Sequence, residues 1–118
     1  MLASNLDRKK YKNICLIESN SKIGQKIKVS GGAKCNITNE FVKSSNYLGD
    51  RDFVKYILDN FSKDDLLKFL KKNNLFPKIN PKIVKGTYFC NSSQDVVDMF
   101  SLLTTHIKKF LDTKVLDI

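Results

Sequence analysis

Apolar positions along this chain follow two periods, separated by a long stretch that follows neither. Near the start, four apolar residues in a row, Ile14-Cys15-Leu16-Ile17, are bounded by polar ones. Such a run predicts a short strand over 13–18, buried on both faces as in a parallel sheet. Cys15 inside it reads as a small core residue. Ahead of the strand, 1–8 read as the last turns of a helix and 9–13 as a polar turn. From Arg51 the period becomes helical, with Phe53, Val54, Ile57, Leu58 and Phe61 on one face. Ser62 opens a second helix. Asp65 stands three residues on, a capping-box pattern with Asp in place of Glu. Leu66, Leu67, Phe69 and Leu70 form its apolar face, and Asn73-Asn74 stops it.

The remainder is shorter in its signals. Pro77, Pro81 and Gly86 break the segment 75–91, whose β-prone pieces at 82–85 and 87–90 predict a small hairpin or an irregular excursion. Ser92 with Asp95 caps a long helix over about 93–111, where Val96, Phe100, Leu103, Ile107 and Phe110 share one face. Residues 113–118 alternate and read as a last strand. Strands separated by helices predict an α/β fold. A parallel sheet needs more than the two sheet strands visible here, so the chain reads as a section of a larger fold. Between strand and helices, 19–49 hold four of the five glycines and little periodicity. A long irregular stretch in a compact domain is a functional loop or a disordered one.

Composition narrows the class. The length of 118 residues and the 42% hydrophobic content suit one globular domain. There is no apolar run of membrane-spanning length. Arg8-Lys9-Lys10 follow the apolar residues at the start rather than precede them, the reverse of a signal peptide. A cytoplasmic protein with no membrane partner is expected. The net charge of +9 raises a nucleic-acid or phosphate partner. Against that, the charge is almost all lysine, spread along the chain, with Arg8 and Arg51 the only arginines. Specific recognition of bases and phosphates favours arginine. Three cysteines without C-x-x-C spacing, and one histidine, predict no structural zinc. His106 lies beside the helical stripe and reads as a surface or boundary residue.

The candidate chemistry lies in one block. The strand ends on Glu18, followed by Ser19-Asn20-Ser21 and then by Lys22-Ile23-Gly24-Gln25-Lys26-Ile27-Lys28-Val29-Ser30-Gly31-Gly32-Ala33-Lys34-Cys35-Asn36-Ile37-Thr38-Asn39. An acid at the end of a parallel strand is where a Rossmann-type fold holds a dinucleotide's ribose. Glycines and lysines just after it offer backbone N–H groups and positive charge to a phosphate. Each part alone has a plain alternative: a solvent-facing acid, a Gly-Gly turn, a solvated lysine face. Cys35, beside glycines and lysines, is the thiol whose pKa could be lowered; a structural thiol is the other reading.

The whole block resembles the signature of a family of bacterial FAD-dependent oxidoreductases, described as aminoacetone-oxidase-like or as bile-acid-dehydroxylation-type NAD(P)/FAD-dependent flavoproteins. Their N-terminal region runs from G-x-G-x-x-G through a strand ending in Glu to K-x-G-[RK]-K and S-G-G-G-R-C-N-x-T-N. A later G-x-x-F-P-x-S resembles Gly86-Thr87-Tyr88-Phe89-Cys90-Asn91-Ser92, with Cys90 in place of proline.

The resemblance implies a partial Rossmann-like FAD-binding domain over 1–118, an incomplete parallel sheet with helices, truncated at both ends. Within it lie a cofactor-binding loop at 19–49 and a helical segment at 51–74. It implies FAD as cofactor and no metal. The implied contacts are Glu18 on the adenosine ribose, and Ser19, Lys22, Gly24, Lys26, Ser30, Gly31, Gly32, Lys34, Cys35 and Asn36 along the cofactor. No catalytic residue is implied. The chain departs from the pattern by lacking G-x-G-x-x-G and by carrying Gly31-Gly32-Ala33-Lys34 for Gly-Gly-Gly-Arg. Lysine keeps the charge but loses the planar fork, and alanine is strained where positive φ is needed. These departures leave catalysis by the chain alone in question and leave three origins open: a truncated gene product, a misplaced start codon, or one piece of a split gene whose remainder is encoded separately. Two other readings stay open: a small basic module binding nucleic acid or another polyanion, and an inactive remnant.

Overall fold

A computed structural model describes residues 1–7, 9–81 and 85–117. Among these, the elements are α1 (Leu2–Asn5), β1 (Cys15–Ile17), α2 (Gln25–Val29), β2 (Asn36–Asn39), a 3-10 turn at Ser44–Asn46, α3 (Arg51–Asn60), α4 (Lys63–Lys72), β3 (Lys78–Ile79), β4 (Thr87–Phe89), α5 (Ser93–Leu103) and β5 (Lys108–Phe110). β1 and β5 pair in parallel, Cys15 opposite Lys108 and Ile17 opposite Phe110. β2, β4 and β3 form an antiparallel sheet in that order. Its β2–β4 register shifts between Asn36 and Thr38. α5 joins the two sheets and returns the chain so that β5 runs alongside β1, the parallel connection of an α/β unit.

The helix ends are written in short polar residues. Asp50 caps α3, its Oδ1 accepting from the amides of Asp52 and Phe53 at 2.9 and 3.0 Å. Ser62 and Asp65 form the expected box at α4: the Asp65 amide donates to Ser62 Oγ at 3.2 Å, and the Ser62 amide to Asp65 Oδ2 at 3.0 Å. At the other end Asn74 takes φ +60. The Leu75 amide then reaches Leu70 O at 2.9 Å, and the Asn74 amide reaches Lys71 O at 3.1 Å. That is a Schellman closure, in which a left-handed residue lets two amides satisfy the last carbonyls. Its usual apolar contact is present too, since Leu70 and Leu75 share the core.

The core gathers Cys35, Leu70, Leu75, Cys90, Val96 and Met99, with Leu66, Phe69 and Phe100 packed against it. Phe69 and Phe100 stack with centroids 6.3 Å apart. The core therefore joins α4, α5 and the loop before β2. α3 contributes no buried residue.

Three expectations are corrected. Cys15 is exposed, and so is Ile17. The parallel sheet here has two strands, and its half-buried Leu16 lines a cleft together with apolar residues of α2 and α5. The last helix ends at Leu103, not near 111. Thr104 and Thr105 turn their hydroxyls back onto Phe100 O and Leu102 O at 2.7 and 3.1 Å, a side-chain alternative that competes with helix propagation. The last strand is Lys108–Phe110, and 113–117 carry no regular element. The β1 edge captures the earlier residues. Thr87–Phe89 forms the expected strand, and it pairs with Lys78–Ile79; of the piece expected as its hairpin partner at 82–85, residues 82–84 lie outside the described residues. His106 is exposed. No helix among the described residues is long and apolar enough to cross a membrane.

Leu70 is 2% exposed at the centre of the core. Leu70→Ala should cost about 2–5 kcal/mol of stability, the range for a buried leucine that leaves a cavity. Ser62→Ala should cost about 1 kcal/mol through the lost cap. Urea midpoints of the two variants should separate in that order.

Candidate cofactor site

Glu18 is the residue just past β1. Its amide donates to Phe110 O at 2.9 Å, and its carbonyl accepts from Thr113 N at 3.0 Å, so the parallel pairing continues through it. Its carboxylate is held by the turn that follows. Oε1 accepts from the amide of Asn20 at 2.8 Å, from Asn20 Nδ2 at 2.6 Å and from Ser19 Oγ at 3.4 Å. These bonds, the Asn20 amide first, hold the solvent-facing Glu18 carboxyl below the ordinary glutamate range. The group is therefore anionic and oriented, and Oε2 takes none of these three bonds.

Glu18 stands at the rim of a cleft of about 230 Å³. Leu16, Ile27, Val97 and Phe100 give it an apolar floor, and Gly24 forms part of its wall. Gly24 caps α2 at φ +76, and a Cβ there would stand 2.7 Å from Val97 Cγ2. Glycine is required for both reasons, since it lets α2 lie directly on α5. A cleft this size takes a nucleoside-sized group, not a whole dinucleotide.

The glycine block forms a second, distinct structure. Gly31, Gly32 and Ala33 take φ +58, +61 and +66 in succession. The result is one left-handed turn, closed by Lys34 N to Gly31 O at 3.2 Å and by Cys35 N to Ser30 O at 3.0 Å. The turn is docked on α5. Ser93 N donates to Ala33 O at 2.8 Å, Cys90 N to Lys34 O at 3.0 Å, and Ser93 Oγ to Lys28 O at 3.0 Å. The two glycines differ. A Cβ at Gly31 would stand 2.3 Å from Asn36 Oδ1, whereas at Gly32 it would meet nothing within 4 Å. Gly31 is thus needed by the fold, and Gly32 faces open space that another molecule can approach.

The residues singled out from sequence divide accordingly. Glu18 and Gly24 border the first cleft. Gly31 O and Ser30 O accept the bonds that close the turn, and Asn36 Oδ1 occupies the space a Gly31 Cβ would need. Ser19, Lys22 and Lys26 are exposed. Lys34 borders a second cleft of about 350 Å³ with Lys78, Asn80 and Asn91. The two clefts share no residue. Cys35 is buried, and burial pushes its thiol up rather than down. Sequence reasoning passed over Val97 and Lys78. Val97 is one residue off the expected stripe, and the adjacent pair Val96-Val97 was the available signal of a wider apolar face. No local signal marked Lys78, which reaches Lys34 only through the β3–β4 pairing.

These features coincide with a known family. The chain matches the HI0933-like protein Rossmann domain over residues 1–118. It belongs to that family. The family is one of FAD-binding Rossmann oxidoreductases, and FAD is its cofactor. Two curated relatives are similar. The ribosomal RNA dihydrouridine synthase of Escherichia coli (strain K12) is 34% identical over 101 residues, covering 84% of this chain and 24% of the relative. The 3-dehydro-bile acid delta(4,6)-reductase of Clostridium scindens (strain ATCC 35704 / DSM 5676 / VPI 13733 / 19) is 29% identical over 97 residues, covering 81% and 22%. The chain thus spans about a quarter of the length of these relatives.

Two outcomes follow from the geometry. Gly31→Ala should destabilise the fold more than Gly32→Ala, since both share the φ penalty of about 1–2 kcal/mol but only the first adds a clash. Ala33→Gly should raise stability by up to about 1 kcal/mol by removing that penalty. Chemical denaturation of the three variants checks both.

A third outcome concerns Glu18. Because its pKa is lower when folded, its contribution to stability is present above the ordinary glutamate range and is lost as pH falls through the depressed value. Asn20→Ala should move the NMR-titrated Glu18 midpoint only part of the way back, because the residue-20 amide remains.

Proposed function

We propose that this chain holds the adenosine end of FAD within an oxidoreductase completed by further polypeptide. The observation that carries this is Glu18: an anionic carboxylate past the end of a parallel strand, oriented by Asn20, at the rim of an apolar cleft. A carboxylate in that position accepts the hydroxyls of a ribose, and the floor of Leu16, Val97 and Phe100 suits the flat face of an adenine. In this reading Ser19 borders the ribose, and Lys22 and Lys26 supply positive potential toward the pyrophosphate. Ser30, Gly31, Gly32, Lys34, Cys35 and Asn36 form the segment along the rest of the cofactor, with Gly32 giving the closest backbone approach. Bound FAD would supply the hydride or electron transfer; the chain's own part is binding and orientation. The segment 19–49 is then the cofactor loop and 51–74 a helical support beside it. Completion by further polypeptide agrees with the quarter of the relatives' length that is spanned here. Three free thiols suit a reducing compartment, and we place the protein in the cytoplasm.

A second reading concerns the substrate. The net charge is +9, and one relative is named for acting on ribosomal RNA. The reading is therefore an RNA-directed flavoprotein, whose lysines contribute nonspecific attraction to the phosphate backbone. A steep loss of RNA binding with rising salt supports it; salt-independent or absent binding removes it.

Titration of the 118-residue chain with FAD, followed by flavin fluorescence, tests the first reading. FAD should bind saturably and riboflavin should not. Glu18→Ala should weaken FAD by about tenfold or more, since hydrogen bonds to a charged group are worth about 1.5–3 kcal/mol. Equal binding of FAD and riboflavin, or an unaffected variant, would overturn the assignment of Glu18.

A further inference from the structure

Cys35 ends the glycine turn, and Cys90 follows β4. The antiparallel pair Asn36–Phe89 lies one residue inside them, and the Cys90 amide donates to Lys34 O at 3.0 Å. Cys90 thus lies opposite Lys34, and Cys35, at φ +55, is the next residue along the turn, so the two cysteines are neighbours just past the end of the β2–β4 pairing. A disulfide spans Cα atoms about 4.4–6.8 Å apart, and the Lys34 carbonyl that accepts the Cys90 amide at 3.0 Å belongs to the peptide bond that leads into Cys35. Both are free thiols in the same buried cluster, 6% and 4% exposed. Cys90 also borders two open clefts, that of Lys34 and Lys78 and a second of about 510 Å³ beside Leu75 and Asp95. A small polar oxidant in either cleft therefore stands beside Cys90. The third cysteine, Cys15, is exposed on β1, outside this cluster.

We propose that Cys35 and Cys90 are a dithiol that a peroxide converts to a disulfide, fastening the glycine turn to β4. In the first step the Cys90 sulfur attacks one peroxide oxygen. An S–O bond forms, the O–O bond breaks, and a sulfenic acid and one water result. In the second, the Cys35 sulfur attacks the Cys90 sulfur. The S–S bond forms, the S–O bond breaks, and the leaving hydroxide departs as water with the Cys35 proton. Two thiols are oxidised by two electrons, and one peroxide is reduced to two waters. Burial, then the neighbouring Cys35, then Asp95, push the Cys90 thiol up to about 11. The thiolate is the reacting form, so the first step is slow and the pair stays reduced until peroxide is sustained.

The test uses the native 118-residue chain exposed to hydrogen peroxide. Remaining thiols are blocked with N-ethylmaleimide in denaturant, and the chain is digested without reduction for peptide mass mapping. The expected product is one cross-linked species joining the Cys35 and Cys90 peptides, lighter by two hydrogens than their sum, with Cys15 unpaired. The same treatment in denaturant should scatter the pairings over all three cysteines. Cross-links that involve Cys15 as often as Cys35, or Cys90 carried on to sulfinic acid with no Cys35–Cys90 peptide, would overturn the proposal. A second readout needs no variant at either core position: in Cys15→Ser, peroxide should raise Tm, and a reductant should reverse the rise. An unchanged Tm would mean that the bridge does not fasten the turn.

Discussion

The docking of the glycine turn on the start of α5 is the contact on which the rest of the structure depends. The first amide of α5 donates to Ala33 O and the Ser93 hydroxyl to Lys28 O. A helix start presents unpaired N–H groups and a positive dipole end. Here the loop's own carbonyls meet part of that need. The same contact fixes α2, because Gly24 lies against Val97 one turn further along α5. It also fixes β2, which leaves the turn at Asn36 and pairs with β4 just ahead of the helix. One helix terminus thus sets the positions of both walls around the candidate cofactor residues.

This arrangement explains why a strained backbone persists at the turn. Three successive left-handed residues would not form in an isolated peptide that includes alanine. The turn is held from three sides: by its own closing bonds, by α5, and by the burial of Cys35 beneath it. The core residues Leu70, Leu75 and Met99 pack in the same cluster as Cys35. The burial that gives α4 and α5 their stability is therefore the same burial that over-determines the turn.

The helices were legible because their information is local. Ser62 and Ser92 sit at the caps they suggest, and Asn73-Asn74 ends α4 through a residue that tolerates positive φ. The parallel pair was legible only in part. Leu16 is half-buried on the floor of the cleft, but an apolar run does not reveal how many strands flank it, so Cys15 was misplaced. Continuing α5 through Ile107 and Phe110 followed the helical period correctly. The competing terms were the Thr104-Thr105 hydroxyls and the open edge of β1, and the second of these is not local. In the site, Glu18 and Gly24 were placed by motif, and their shared cleft follows from α5 lying beneath both. The separation of Lys34 from that cleft was not legible, since it depends on which way a left-handed turn carries the chain.

The orientation of Glu18 depends in turn on residues distant in sequence. A two-stranded parallel pair is weak alone, and here the residues after β5 reinforce it. Thr113 N bonds the Glu18 carbonyl, and Asp112, itself at φ +50, donates its amide to Asn20 O. Asn20 is the residue whose amide and side chain grip the Glu18 carboxylate. The carboxylate is thus braced through a relay, Asp112 to Asn20 to Glu18, while its own backbone is locked to Phe110. In the proposed role, an acceptor for a ribose must not swing freely, because the entropy lost on fixing it would subtract from binding. The tail after β5 has no regular structure, yet it supplies the restraint that a surface glutamate on a bare strand end would lack.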